Sequence, residues 1–312
     1  MGKHVIIREY KHGDEVRILN LFHEVFGKDL PIELWKWKYM NHGLGTFVTV
    51  AEEGDAIIGH YGLVPRRVKF EKLEGLSAVV SDVMVHSSKR GAFTKRGIFF
   101  RLVEQSIIKF CPNSDERKII LPYGFPTIRA RDIGVRLGLY EEVENSTEVE
   151  FIYGNGLLKF IYSVRKCTLT EEFIEPLWDV MKKEMYDLII NYRDYRTLAW
   201  RYSQPGAKFS FYCTFKFLSP VSFLVVREDT EVKKIYDYVG SIKYLSESLN
   251  AVAKLYNTPL NMRFMPWALD KLRGLKILKV IDGPTLVANA VTGPRAEELK
   301  GKFFYTYGDE DV

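Results

Sequence analysis

LSAVVSDVMVHSSKRGAFTKRGIFFRLVEQSIIKF, residues 76–110, divides into three pieces. Leu76 to His86 is a largely apolar, β-branched run that reads as a buried strand; Ser87 to Gly97 is a basic, glycine-containing loop; from about Gly97 the pattern becomes that of an amphipathic helix. This order builds an anion cradle. A helix leaves its first backbone N–H groups unpaired and carries partial positive charge at that end, so a loop entering it can hold a phosphate. Lys89, Arg90, Lys95 and Arg96 add full charges where those amides point.

The rest of the composition is compatible with such a site. A chain of 312 residues, 46% hydrophobic, is expected to form two domains, and its charged residues are interspersed, as in a folded soluble protein. The formal net charge of +5 suits an anionic cofactor and is too small and dispersed for a nucleic-acid surface. The three cysteines, Cys111, Cys167 and Cys213, lack disulfide or metal-ligand spacing and are expected to be core thiols, with no metal site. The N-terminal residues are polar, without the apolar run of a signal peptide, and no apolar run of ~18 residues occurs, so the expectation is a cytoplasmic protein without membrane partners.

Around the central stretch, His4 to Glu9 reads as a strand and Asp14 as the cap of a helix ended by Gly27. Pro31 opens a second helix, IELWKWKYM. Thr46 to Glu52 and Ala56 to Pro65 form a hairpin, and a third run, Arg66 to Phe70, leads through a Glu71 to Gly75 turn into the central strand. Beyond the cradle, Lys118 to Tyr123 reads as a strand, Thr127 as the cap of a helix ending at Gly138, and Val143 to Tyr153 as a further strand. The arrangement is mixed α/β.

The pattern then recurs. Trp37-Lys38-Tyr39, with Gly43 four residues on, is matched 163 residues later by Trp200-Arg201-Tyr202 and Gly206, and an apolar strand follows in both cases. Lys233 to Gly240 feeds a helix, and Leu260 to Met265, a helical stretch and Gly274-Leu275 echo the Lys118 to Leu139 segment. This predicts a duplication, with residues 1–157 and 158–312 as the two domains. The second copy passes from strand to helix through Gly240-Ser241-Ile242 with only Lys243 nearby, so the basic cradle belongs to the first alone.

In this order of features the chain resembles the GNAT acetyltransferase superfamily, and within it the tandem-GNAT proteins whose second domain is degenerate. The features are the strand Val79 to His86, the loop ending Arg96-Gly97-Ile98-Phe99, and Tyr123-Gly124-Phe125-Pro126 leading to Leu137-Gly138-Leu139, with Trp37-Lys38-Tyr39 before the hairpin. The resemblance implies two domains, each a mixed, mostly antiparallel twisted sheet flanked by helices. It also implies acetyl-CoA as cosubstrate, its pyrophosphate on the loop and its pantetheine arm paired with the strand. The superfamily's loop pattern is departed from here, and an insertion of Ala92 to Thr94 after Arg90-Gly91 restores it. That assigns the cofactor contacts to the backbones of Met84 and Val85 and to Arg90, Gly91, Lys95, Arg96, Gly97, Ile98 and Phe99.

Acetyl transfer to an amine needs a base, polarisation of the thioester carbonyl and an acid for the thiolate. The resemblance gives the Val85 N–H to the carbonyl. Asp82, on the central strand, is the candidate base; the competing reading is a structural partner of Arg129 or Arg131. The tyrosine that serves as acid in the superfamily falls here on Gly134, so it is absent, with Tyr123 and Tyr140 as nearby substitutes and Tyr123 the better placed. The expected function is N-acyl, most of all N-acetyl, transfer from acetyl-CoA to a primary amine of a small molecule, amino sugar or peptide, by a monomer or homodimer. The alternatives are a Fem-like aminoacyl-tRNA-dependent transferase and a non-catalytic CoA-ester-binding scaffold.

Overall fold

In the computed structural model, residues 4–90, 94–111, 119–154 and 161–311 are described. The first half runs β1 Val5–Glu9, α1 Glu15–Phe26, α2 Ile32–Tyr39, β2 Phe47–Glu53, β3 Ala56–Phe70, β4 Leu73–Val85, α3 Ile98–Phe110, β5 Ile119–Gly124, α4 Ile128–Arg136 and β6 Tyr140–Ile152. The second runs β7 Tyr162–Cys167, α5 Glu171–Glu184, β8 Ile189–Asn191, α6 Tyr195–Arg201, β9 Phe209–Lys216, β10 Ser219–Arg227, β11 Lys233–Gly240, α7 Leu245–Tyr256, β12 Leu260–Phe264, β13 Lys276–Asn289, α8 Ala296–Leu299 and β14 Phe303–Phe304. A C-terminal strap, residues 305–311, follows and contains the 3-10 turn Tyr307–Asp309.

Local chemistry accounts for most element ends. Gly27 closes α1 at φ +68°, a left-handed conformation that glycine reaches without a Cβ penalty. Thr127 caps α4 by accepting from the Ala130 N–H at 3.4 Å. Asp14 stands before α1 as expected, but its carboxylate accepts from the Lys11 N–H and pairs with Arg8 and Arg17 rather than capping the helix. The run Arg66 to Phe70 is no separate strand. It continues β3 and pairs with β4 from Arg66↔Ser77 to Phe70↔Leu73, so the turn is confined to Glu71 and Lys72.

All strands join one mixed, mostly antiparallel sheet of 14, in the order β1-β2-β3-β4-β5-β13-β6-β12-β11-β10-β9-β7, with β14 and β8 attached through β3. From one end the strands run β1 to β5 and from the other β7, β9, β10, β11 and β12, and the long strand that follows each series in the chain, β6 or β13, has crossed to the other side. β13 pairs with β5 at Val287↔Gly124 and Ala288↔Tyr123, and β6 pairs with β12 from Leu260↔Phe151 to Phe264↔Thr147. The two exchanged strands pair with each other along their whole length. One apolar cluster consequently runs through both halves, from Trp35, Tyr39 and Val79 to Phe223, Tyr238 and Phe264; a second, around Tyr61, Leu102, Ile107 and Tyr140, lies under α3.

Trp37 and Trp200, the residues matched in the sequence repeat, meet across the halves. Their rings stack at 5.2 Å, the Trp37 indole N–H donates to the Trp200 carbonyl at 2.8 Å, and the Trp200 indole N–H donates to the Trp37 carbonyl at 3.0 Å. Among the described residues no helix is long and apolar enough to cross a membrane.

Candidate active site

β4 and β5 run parallel and paired only as far as Val79↔Tyr123, yet β4 continues to Val85. The strands splay there, and the gap opens a cavity of about 610 Å³. It runs from Gly97–Phe100 at the start of α3, along Val80 and Asp82–Val85, past Phe125 and α4, to Pro284 and Val287–Asn289 of β13, with Glu310 and Asp311 from the strap. β13 and the strap belong to the second half of the chain and the rest of this lining to the first.

A bulge shapes the open edge. Gly62 faces Ser81 and His60 faces Met84, so Tyr61 stands opposite two residues, Asp82 and Val83. Asp82 adopts φ +47°, an uncommon conformation for a residue with a side chain, and the His60 Nδ1–H donates to its carbonyl at 2.7 Å. Burial lowers the His60 pKa, in keeping with a neutral ring that serves as a structural donor. The His86 N–H donates to the Ile58 carbonyl, so by the alternation of an antiparallel ladder Met84 exchanges its bonds with His60 on β3, whereas the Val85 N–H and C=O face the splay. Met84 and Val85 both line the cavity, Met84 with its backbone bonds spent on β3 and Val85 with its own turned to the splay.

The cradle has the expected parts, unevenly committed. α3 begins at Ile98 with Gly97 at its N-cap and no side chain capping it. The Arg90 Nε–H donates to the Val85 carbonyl at 2.9 Å, and Lys89 pairs with Glu53 at 2.6 Å. Lys95 and Arg96 are exposed and have no ion pair among the described residues; Ile98 and Phe99 are half-buried in the cavity wall. Gly91, also assigned to the cofactor by the resemblance, lies outside the described residues.

The floor is made of carboxylates. Asp82 receives the buried Lys38 Nζ at 3.0 and 3.1 Å and the Tyr39 hydroxyl at 2.7 Å; Gly62 permits this, because a Cβ there would lie 2.5 Å from the Tyr39 ring. Burial pushes the Asp82 carboxyl up, but Lys38, His60 and Tyr39 outweigh it and hold the pKa below its ordinary value. Its partner is therefore Lys38, not Arg129 or Arg131. Lys38 also pairs with Asp311, whose other oxygen accepts from the Ser81 hydroxyl. Glu310 is paired by Arg263, which also serves Glu148 at 2.9 Å; burial pushes the Glu310 carboxyl up to about 6 despite that pairing.

Tyr123 lines the cavity, but its hydroxyl donates to the Asp309 carbonyl and accepts from Asn191, both at 2.9 Å, and burial pushes its pKa up. It tethers the strap. Gly134 has a direct structural reason: a Cβ there would sit 2.0 Å from the ring of Tyr140, which occupies the space a side chain would need. Lys38, Glu310 and Asp311 escaped the sequence reading. Lys38 sits inside the quoted Trp-Lys-Tyr motif, which was its one signal; the two acidic residues join the site over a separation of 230 residues between Ser81 and Asp311.

Residues 6–134 match the family model of the acetyltransferase (GNAT) domain. No curated protein matches the chain. Among solved structures, a GCN5-related N-acetyltransferase from Kribbella flavida is similar at a TM-score of 0.66 and 11% identity, over 92% of this chain and 71% of that one. A GCN5-related N-acetyltransferase from Anabaena variabilis gives 0.65 and 12%, over 91% and 72%. Saccharomyces cerevisiae N-myristoyltransferase with bound myristoyl-CoA gives 0.55 and 10%, over 92% and 82%. At these identities the likeness is one of fold: the mixed α/β architecture with its large, mostly antiparallel sheet is that of GNAT-type proteins.

Proposed function

We propose that the chain is an acyl-CoA-dependent N-acyltransferase, with acetyl-CoA as donor and a primary amine of a small molecule, amino sugar or peptide as acceptor. The observation that carries this reading is the splay of β4 from β5 onto the uncapped N-terminus of α3, beside two exposed cations. Unpaired helix amides and the charges of Lys95 and Arg96 suit a pyrophosphate. The Val85 backbone, facing the splay, suits an extended pantetheine arm that adds to the strand edge, and its N–H suits the thioester oxygen.

In this reading residues 1–157 form the CoA-binding GNAT-like unit and residues 158–312 a degenerate copy that lends β13 and the strap. Asp82, held ionised by Lys38, attracts and orients the acceptor ammonium, and Tyr123 fixes the strap that closes the floor. A non-catalytic CoA-ester-binding module is the second reading, favoured by the engagement of the Tyr123 hydroxyl and the loss of a side chain at position 134.

Calorimetry and thermal melting with acetyl-CoA test the binding step. At about 100 times its dissociation constant the ligand is expected to stabilise the fold by ~2.7 kcal/mol, and Arg96→Ala and Gly97→Pro are expected to weaken that shift. An unshifted melt would sink both readings. Binding without turnover across an amine panel would leave the second.

A further inference from the structure

We propose that Cys167 and Cys213 form a reversible disulfide, a redox modification site in the second half of the chain that lies apart from the cavity. It does not depend on the acyl-transfer reading.

The fold brings together two thiols that the sequence keeps 46 residues apart. Cys167 ends β7 and Cys213 lies within β9, and the strands pair antiparallel with Arg165 opposite Cys213 and Cys167 opposite Phe211. Side chains alternate faces along a strand, so Cys167 and Cys213 stand diagonally on one face of the ladder. Their sulfurs meet there: the Cys213 S–H donates to the Cys167 Sγ at 2.9 Å. A disulfide needs two sulfurs brought to about 2.05 Å by side chains that point at each other, and this pair has roughly 1 Å left to close. The third thiol stands apart. Cys111, which follows α3, is buried, and burial pushes its pKa up to about 12, as in an inert structural thiol.

The two partners differ in access. Cys213 is fully buried, whereas Cys167 is half-buried on β7, which ends the sheet and pairs with β9 alone. The hydrogen bond from Cys213 favours the Cys167 thiolate, so the thiol within reach of solvent is also the more acidic of the two. That arrangement separates an attacking thiol from a resolving one.

The oxidant is a low-molecular-weight disulfide of the glutathione class, and the exchange balances in two displacements. Cys167, its proton given to solvent, attacks one sulfur of the oxidant; that S–S bond breaks and the first thiolate leaves. Cys213 then loses its proton and attacks the Cys167 sulfur, the mixed S–S bond breaks, and the second thiolate leaves. The two thiolates take up the two protons. Two protein thiols are thus oxidised to one disulfide while one small disulfide is reduced to two thiols.

The bond would fasten more than an edge strand. It encloses residues 168–212, which contain α5, β8 and α6. Asn191 and Arg193, which hold Asp309 of the strap, lie inside that ring, as does Trp200 of the contact between the halves. Closing a ring of this length restricts the unfolded chain and so stabilises the fold.

The test exposes the full chain to glutathione disulfide, in buffer and in urea, and reads free thiols by maleimide labelling and bridged peptides by mass spectrometry. The folded wild type is expected to fall from three free thiols to one, with a peptide joining Cys167 to Cys213, and to recover all three with dithiothreitol. In urea the sulfurs are no longer held together, and the bridge is expected to form roughly 10-fold more slowly or less. Cys213→Ser is expected to stop at a glutathione adduct on Cys167, and Cys167→Ser to leave Cys213 unmodified. The bridged protein is expected to melt about 5 °C or more above the reduced one. Three retained thiols, or an adduct that persists on Cys167 of the wild type, overturn the inference, as does a bridge that forms no faster in the fold than in urea. A bridge that leaves the melt unchanged overturns the bracing role. If Cys213→Ser does not fold, the wild-type thiol count and Cys167→Ser decide.

Discussion

The junction of β4 with α3 and that of β11 with α7 are the same device in two states. In the first, Tyr39 bonds to Asp82 at a bulge that opens onto the cavity, and the helix start is uncapped. In the second, Tyr202 bonds to Asp237 at 2.7 Å in the same manner, but Asp237 is buried against Arg193 at 2.7 Å, and Arg193 also holds Asp309 of the strap. At the start of the second helix region, Glu184 of α5 gives one carboxylate oxygen to the Ser241 hydroxyl at 2.7 Å and the other to the Ile242 N–H at 3.0 Å. The second half therefore supplies its own anion at this junction. The helix start of the first junction has no side-chain cap, whereas the donors of the second are filled by a side chain.

The comparison is broken most directly at Arg193. If the second junction is structural, Arg193→Ala leaves Asp237 and Asp309 buried without their cation, and urea unfolding is expected to show a loss of ~3–5 kcal/mol. A loss below ~1 kcal/mol would mean the network does not hold the halves together. The next effect concerns pH. His42 lies edge-on to Trp200 at 5.4 Å, accepts from the Leu44 N–H at 3.1 Å, and is lowered by burial from 6.5 to about 4. Between those values the unfolded chain binds the proton and the folded one does not. Stability is therefore expected to fall by roughly 3 kcal/mol as pH drops from 6.5 to 4, with no further loss from this group below that. Melting across that range should flatten in His42→Asn; an equal slope in both proteins would exclude His42 as the source. The smallest effect sharpens the contrast. Glu184→Ala removes two charge-assisted bonds at an element end and is expected to cost ~1–3 kcal/mol by chemical unfolding, without changing acetyl-CoA affinity. A change in affinity would show that the second junction contributes to the first site.

The central strand, loop and helix were legible because a long apolar run, a basic loop and a glycine at the helix start each carry local meaning, and the structure adjusts their ends by a few residues. The matched spacing of Trp37 and Trp200 marked in advance the two residues that stack across the halves. Arg66 and Arg67 concealed the true length of β3: two charges look like a strand end, yet Arg66 is buried beneath the strap and the ladder continues past it. The exchange of β6 and β13 had no local signal, since alternation fixes which face a residue takes and not which strand lies beside it. The carboxylate floor was hidden for a similar reason. Lys38 reads as an ordinary helix lysine until Asp82 and Asp311, far from it and from each other in the chain, are placed against it.

The reciprocal bonds of Trp37 and Trp200 have the form of an isologous contact, in which one residue does to its counterpart what is done to it. With the mutual exchange of β6 and β13, they give this single polypeptide the interior of a twofold dimer whose subunits are joined end to end. Two separate identical chains in that arrangement would carry two equal clefts, and any substitution would strike both. Joining them lifts that constraint: one junction keeps its helix start uncapped, while the other fills its donors with Glu184 and, through Arg193 and Asp309, braces the strap beside its neighbour.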